Sequence, residues 1–183
     1  MIHTPSLAAT LHPASPLWSA RCHCIAPVIP APWRTWLFDQ GSLTARLTAL
    51  APGFRVEATR EYFGRPTPVE RRELHLGVRE TVWVREVTLY LGDIAVVHAR
   101  TAVPVQALRG KLRCLQALGN RSLGSFLFRQ PDLKRNALTV SHCAPGSLGV
   151  TWARRSVFRV SDQPLMVSEA FCPALLEFPI TGR

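Results

Sequence analysis

The chain has 183 residues, of which 47% are hydrophobic, and a formal net charge of +10 at pH 7. This length suits one globular domain with a sizeable core, and the apolar content excludes an intrinsically disordered chain. No apolar run is long enough for a membrane span, and the N-terminal segment lacks the features of a secretory signal. We therefore expect a cytoplasmic protein without stable membrane insertion.

The positive charge is carried almost entirely by arginines, which are scattered along the chain. A basic balance suits nucleic acid, an acidic membrane surface or a small anionic substrate. A nucleic-acid-binding module is thus one candidate function, and it would bind with a steep salt dependence. Because no zinc-finger spacing, recognition helix or aromatic-basic RNA motif is present, we expect no nucleic-acid partner.

Five cysteines are present, and none forms a CxxC pair. The run Cys22-His23-Cys24 has metal-binding residue types, but a structural zinc site needs a second pair of ligands. We predict reduced structural thiols and no metal.

The N-terminal third predicts two short helices and a strand. Residues 1–29 are rich in Pro, Ala, Ser and His and predict a loosely ordered lead-in to a single domain over residues 30–183. Pro32 can open the first helix, and Ser42 can cap the second. Their apolar sides are formed by Trp33, Trp36, Leu37, Leu43, Leu47 and Leu50. Residues 54–62 alternate like a strand. Residues 71–79 are polar and their pattern is ambiguous, and one interpretation is a loop that leads into the next strand.

A β-hairpin is predicted over residues 81–103, where two β-rich runs flank Gly92-Asp93. A two-residue turn there would place Leu91 opposite Ile94 and Arg85 opposite Arg100. Both arginines would then lie side by side on an apolar face.

Such a pair of arginines needs an anion between them, because like charges opposite each other destabilise a sheet and a buried unpaired charge is costly. An internal Asp or Glu would meet this need. A ligand carboxylate would also meet it, because the guanidinium group can bind it through two parallel hydrogen bonds.

The rest of the chain predicts an amphipathic helix over residues 108–118 that ends at Gly119, a short helix over residues 123–128, and strands over residues 138–142, 150–160 and 165–171. On the last strand, Glu169 shares a face with Leu165, Val167 and Phe171. An acidic residue on an apolar face either neutralises an arginine or is a carboxyl group with a tuned pKa. Hairpins with helices between them predict the α+β class with one antiparallel sheet.

Five runs in the order of the chain resemble the chorismate lyase family. They are WVREV at 83–87, ARTAVP at 99–104, LG at 118–119 followed by SLGSFLF at 122–128, RRS at 154–156, and PLMVSEAFCP at 164–173. The resemblance implies an antiparallel sheet with helices packed on one side and an enclosed ligand pocket. It implies a monomer that converts chorismate to 4-hydroxybenzoate and pyruvate, the first step of ubiquinone biosynthesis, without a metal or organic cofactor.

The resemblance also implies the residues of the site. The family's two binding arginines fall on Arg85 and Arg100, its active-site glutamate on Glu169, and a backbone contact to the product carboxylate on Leu123. A further pocket position is Leu43, which replaces a Met of similar volume. We expect Arg85 and the Leu123 backbone to hold the ring carboxylate, Arg100 the enolpyruvyl group and Glu169 the 4-hydroxyl group.

Two alternatives stay open. The first is a non-catalytic sensor domain for small aromatic acids on the same fold. Such domains of bacterial transcription regulators normally follow a DNA-binding helix-turn-helix, which has no counterpart in this sequence. The second is a related lyase that makes 3-hydroxybenzoate or uses a modified chorismate.

Overall fold

In a computed structural model, residues 19–20, 29–143 and 149–178 are described, and they form one antiparallel sheet with short helices. The strands are β1 Ser19–Ala20, β2 Phe54–Gly64, β3 Val82–Leu91, β4 Ile94–Pro104, β5 Lys134–Arg135, β6 Thr139–His142, β7 Trp152–Val160 and β8 Gln163–Phe171. Their order is β1-β6-β7-β8-β4-β3-β2, and β5 also pairs with β7. The helices are α1 Ala31–Leu37, α2 Leu43–Leu50, α3 Pro68–Glu73 and α4 Leu123–Leu127. This architecture confirms the predicted α+β class.

The two predicted N-terminal helices are confirmed as α1 and α2. A proline lies in the first turn of α1, and the Ser42 hydroxyl caps α2 by accepting a hydrogen bond from the Ala45 amide. The loop expected over residues 71–79 is partly wrong, because α3 covers its first residues. The missed signal is a capping box, in which Thr67 and Glu70 each accept a hydrogen bond from the other's backbone amide.

The helix predicted over residues 108–118 is of a different type. Residues Gly110–Ala117 form a 3₁₀ helix, as do Val105–Ala107 and Pro173–Glu177. Leu112, Leu115 and Leu118 are all buried, and their three-residue spacing matches the three residues per turn of a 3₁₀ helix. Gly119 follows with φ +53°, as expected for a residue that ends a helix.

The predicted hairpin register is wrong beyond the turn. Leu91 pairs with Ile94 and Tyr90 with Ala95, as a two-residue turn requires, but Leu89 pairs with Val97. Val96 is therefore an extra residue in β4, a β-bulge that shifts all later pairs by one. Because side chains alternate along a strand, this shift moves Arg100 to the face opposite that of Arg85.

We call the face that carries Arg85 the front face. Helices α1 and α2 pack there against β3, β4, β7 and β8 in one apolar cluster, which includes Trp36, Leu47, Val87 and Phe171. The 3₁₀ helix Gly110–Ala117 and α4 pack on the same face in a second cluster. The other side, the back face, is covered in part by α3, whose Val69 packs with back-face residues of β3, β4, β7 and β8.

Arg100 lies on the back face, so its predicted place beside Arg85 is corrected. It is 3% exposed, and its Nε and Nη2 atoms donate to the two carboxylate oxygens of Glu70 at 2.7 and 3.2 Å. Its Nη1 atom donates to Glu86 and to the Tyr62 hydroxyl, each at 2.8 Å. Burial lowers the pKa of Arg100, but Glu70 and Tyr62 outweigh it, so the pKa is raised. These contacts make Arg100 part of a buried ion-pair network.

Several predictions concern residues near the chain ends. Most of the predicted lead-in, including Cys22-His23-Cys24, lies outside the described residues. Within it, Ser19–Ala20 pairs with β6, and Ile29 is buried in the front-face core.

Burial raises the pKa of the Cys143 and Cys172 thiols to about 11, which keeps them protonated. Within the described ranges, no helix has the length and apolarity to cross a membrane.

Replacing Arg100 by Met should destabilise the fold strongly. The change leaves Glu70 and Glu86 as buried carboxylates without their cation, and we expect a loss of about 3 to 5 kcal/mol in the free energy of unfolding. Urea unfolding measures this loss, with exposed Arg79→Met as the control for removal of one positive charge. A loss equal to that of the control would contradict the structural role.

Candidate active site

A pocket opens on the front face between the sheet and the first turns of α2 and α4. Its empty volume is about 570 Å³, including the part open to solvent. Most of its lining is apolar, and its charged lining residues are Arg85, Arg135, Arg154 and Glu169.

Two rows of front-face residues run across four strands and form the pocket floor, and all of them except Ser156 line the pocket. One row is Arg85, Thr101, Val167 and Ser156, and the next row is Val87, Ala99, Glu169 and Arg154. Each row follows the strand order β3-β4-β8-β7. The antiparallel register therefore brings together residues that are as much as 84 positions apart in the sequence, such as Arg85 and Glu169.

Arg85 lies at the β3 end of the first row and is only 2% exposed. Its Nη2 atom donates to the carbonyl oxygens of Gly119 and Arg121 at 2.7 and 3.0 Å, and its Nε atom donates to Glu61 at 3.2 Å. Burial lowers the pKa of Arg85, and Glu61 opposes this shift. The guanidinium group is thus fixed in place at the pocket wall, and its Nη1 atom has no hydrogen-bond acceptor among the described residues.

Glu169 faces the pocket from the middle of the sheet, as the alternation on β8 predicted. Its Oε2 atom accepts a hydrogen bond from Arg154 Nε at 2.5 Å. Arg154 is 1% exposed, and its Nη1 atom also donates to the carbonyl oxygens of Trp36 and Asp39 at 2.6 and 2.9 Å. The carboxylate is therefore paired and held by an arginine that is itself held by the end of α1.

Sequence reasoning did not single out Arg154, although a signal for it was present. A two-residue turn at Ser161-Asp162, both with positive φ, pairs Arg154 with Glu169 directly. Arg135 was also missed, and no local signal marks it. It lies on the two-residue strand β5, which reaches the pocket only because β5 pairs with β7.

Leu43 and Leu123 are the first residues of α2 and α4, and both line the pocket. The two helix starts meet closely, because the Thr44 and Ser122 hydroxyls are hydrogen-bonded and Gly124 packs against Thr44. As the first residue of a helix, Leu123 has a backbone amide without an acceptor inside the helix. The structure thus places Arg85, Glu169, Leu43 and Leu123 together at one pocket, and Arg100 away from it.

The fold resembles that of two solved structures. The chain is similar to the effector domain of PhnF from Mycobacterium smegmatis, with a TM-score of 0.54 and 13% identity over 74% of this chain and 91% of that chain. It is also similar to the gene product SA0254 from Staphylococcus aureus, with a TM-score of 0.52 and 12% identity over 80% and 97% of the two chains. At this identity the likeness defines the fold alone.

The sequence relatives define the family. The profile of the family described as chorismate lyase matches residues 17–177. A probable chorismate pyruvate-lyase from Aromatoleum aromaticum is 36% identical, with 92% of this chain and 98% of that protein covered. One from Marinobacter nauticus is 39% identical, with 91% and 88% covered. The chain belongs to the chorismate lyase family, as its motifs predicted.

Gly124→Ala should destabilise the contact between the helix starts. A Cβ atom at this position would lie 2.5 Å from Thr44 Oγ1 and 3.2 Å from Thr44 Cβ. Such overpacking costs about 1 to 3 kcal/mol, which exceeds the roughly 0.5 to 1 kcal/mol that Ala gains over Gly in a helix. Thermal unfolding should therefore show a lower Tm for Gly124→Ala.

The double variant Gly124→Ala, Thr44→Ala is the control, because it removes the hydroxyl that the new methyl group meets. The double variant should lose less stability than the sum of the losses in the two single variants. Strictly additive effects would contradict the contact.

Proposed function

We propose that this protein is a chorismate pyruvate-lyase, which converts chorismate to 4-hydroxybenzoate and pyruvate. The observation that carries the proposal is a pocket with three arginines and one glutamate, in a chain of the chorismate lyase family. Chorismate carries two carboxylates, and an excess of fixed positive charge in a partly dry pocket binds such a dianion.

Arg85 and the backbone of Leu123 bind the ring carboxylate in this proposal. The Arg85 side chain is already oriented by two carbonyl oxygens and by Glu61, so it loses little freedom when a ligand binds. The free amide at the start of α4 supplies a second donor to the same carboxylate. Leu43 and the apolar residues of the floor pack against the flat ring.

Glu169 contacts the 4-hydroxyl group of the ring in this proposal. Its hydrogen bond with Arg154 fixes the orientation of the carboxylate, whose oxygens accept a hydrogen bond from the hydroxyl group. This contact orients the ring and gives Glu169 access to the hydroxyl proton.

The reaction breaks the ether bond at C3 of chorismate and removes the hydrogen at C4. The ring becomes aromatic, which supplies a large driving force. We infer that the hydrogen passes to the enolpyruvyl methylene group, which becomes the methyl group of pyruvate. The pocket contributes by holding the enolpyruvyl side chain over C4 in a reactive pose, and its arginines stabilise negative charge on the departing oxygen.

The wider role follows from the family resemblance. The proposed reaction is the first step of ubiquinone biosynthesis, carried out in the cytoplasm by a monomer that needs no metal or organic cofactor. The flat aromatic acid fits a largely apolar pocket, so slow release of 4-hydroxybenzoate is expected to limit turnover.

The direct test is to incubate the purified protein with chorismate and to follow the products by liquid chromatography. Equal amounts of 4-hydroxybenzoate and pyruvate, formed in buffer with a chelator, are expected. The 3-hydroxy isomer would indicate the related lyase instead. Binding of 4-hydroxybenzoate without any turnover would favour a sensor, and the absence of both would refute the proposed function.

Glu169→Gln should reduce kcat by about 100-fold or more at neutral pH, because a positioned acid or base typically contributes a factor of 10² to 10⁴. The change keeps the size of the side chain and an oxygen for Arg154. Activity should be measured per folded molecule, with the fraction folded taken from circular dichroism, and exposed Glu57→Gln is the charge-matched control. Normal activity per folded molecule would show that Glu169 only stabilises the fold.

A further inference from the structure

The substrate of the proposed function has two carboxylates, and Arg85 binds only one of them. The ring carboxylate is assigned to Arg85, and the sequence-based partner of the enolpyruvyl carboxylate, Arg100, lies on the back face. The second carboxylate therefore needs a different cation at the pocket. Two arginines remain, Arg135 and Arg154.

The charge of Arg154 is already balanced by Glu169, and two of its three nitrogen atoms already donate hydrogen bonds. It pairs with Glu169, donates to two carbonyl oxygens and lies 5.5 Å from the centre of the Phe171 ring. A substrate carboxylate at Arg154 would have to displace Glu169, which is needed elsewhere in the site.

Arg135 is held in position but has no anionic partner. Its Nε atom donates to the Ser156 hydroxyl at 2.9 Å, its Nη1 atom donates to the Gln40 carbonyl at 3.0 Å, and its guanidinium group lies 4.8 Å from the centre of the Phe158 ring. In the described part of the chain, no carboxylate forms an ion pair with it and its Nη2 atom donates no hydrogen bond. Burial and the charge of Arg154 lower its pKa, against the weaker influence of Glu169 and Asp39.

The positions of Arg85 and Arg135 suit a ligand with two carboxylates. Arg135 is hydrogen-bonded to Ser156, and Ser156 is the last residue of the sheet row that begins with Arg85. The row crosses three strand spacings, roughly 14 Å between backbones, and the side chains of both arginines line the pocket. Glu169 lies between them in the neighbouring row.

We propose that Arg135 binds the enolpyruvyl carboxylate of the substrate, and that it thereby distinguishes the dicarboxylate substrate from the monocarboxylate aromatic product. This inference rests on the proposed function. Arg85 contacts a carboxylate that substrate and product share, whereas Arg135 contacts one that leaves with pyruvate. The two arginines therefore have separable effects on substrate and product.

The experiment compares Arg135→Met with the wild-type protein in two measurements. One is kcat/KM for chorismate, and the other is the Kd for 4-hydroxybenzoate from calorimetric titration. Loss of a charge-assisted hydrogen-bonded pair should lower kcat/KM by about 10- to 100-fold. The Kd for 4-hydroxybenzoate should stay within about twofold, because the product has no second carboxylate.

Three variants complete the design. Arg85→Met should weaken both chorismate turnover and 4-hydroxybenzoate binding. Arg135→Lys, which keeps the charge, should recover part of kcat/KM and covers the case in which Arg135→Met folds poorly. Arg159→Met removes one positive charge from the back face of β7 and should leave both values unchanged.

The outcomes separate this inference from the proposed function. Wild-type protein that turns over chorismate, together with an unchanged kcat/KM in Arg135→Met, would refute only the role of Arg135. A parallel loss of 4-hydroxybenzoate binding in Arg135→Met would also refute the role of Arg135. It would show that Arg135 binds the carboxylate shared by substrate and product, or that it maintains the shape of the pocket. Wild-type protein without chorismate turnover would refute the proposed function and this inference together.

Discussion

The bulge at Val96 sets which face of the sheet receives each charge of the central hairpin. With it, Arg85 points to the pocket and Arg100 points to the back, where each meets a different set of acceptors. Without the extra residue, both guanidinium groups would be on one apolar face, where their repulsion and desolvation would oppose folding. One inserted residue therefore separates a ligand-binding cation from a structural one, and the remaining charges of the sheet are arranged around that separation.

On the front face, charged side chains are oriented by hydrogen bonds within a largely apolar pocket. Arg85 is fixed by two carbonyl oxygens and by Glu61, and Arg154 is fixed by the end of α1 while it holds Glu169. Because these charged groups are hydrogen-bonded before any ligand arrives, binding requires little reorganisation. The helix starts of α2 and α4 meet beside the pocket at a contact where a Cβ atom at position 124 would crowd Thr44.

Alternation along the strands gives neighbouring residues of one motif different tasks. In the run 83–87, Arg85 faces the pocket while Glu86 faces the back and accepts a hydrogen bond from Arg100. In the run 154–156, Arg154 faces the pocket and Arg155 faces the back, where burial lowers its pKa to about 10. One motif thus supplies residues both to the pocket and to the back-face core. Membership of a motif does not by itself make a residue part of the pocket.

The sequence by itself determined the class of the fold, the helix start at Ser42, the hairpin, and the face that carries Glu169, because these depend on local patterns such as alternation, caps and turn residues. Its family motifs also indicated the chorismate lyase family. Tertiary structure decided the rest. The residues of the hairpin turn do not predict the bulge, because Val96 is as apolar as its neighbours and either register buries hydrophobic residues. Arg135 reaches the pocket only through pairing of β5 with β7, and such long-range contacts depend on how the whole sheet packs rather than on any local run of residues.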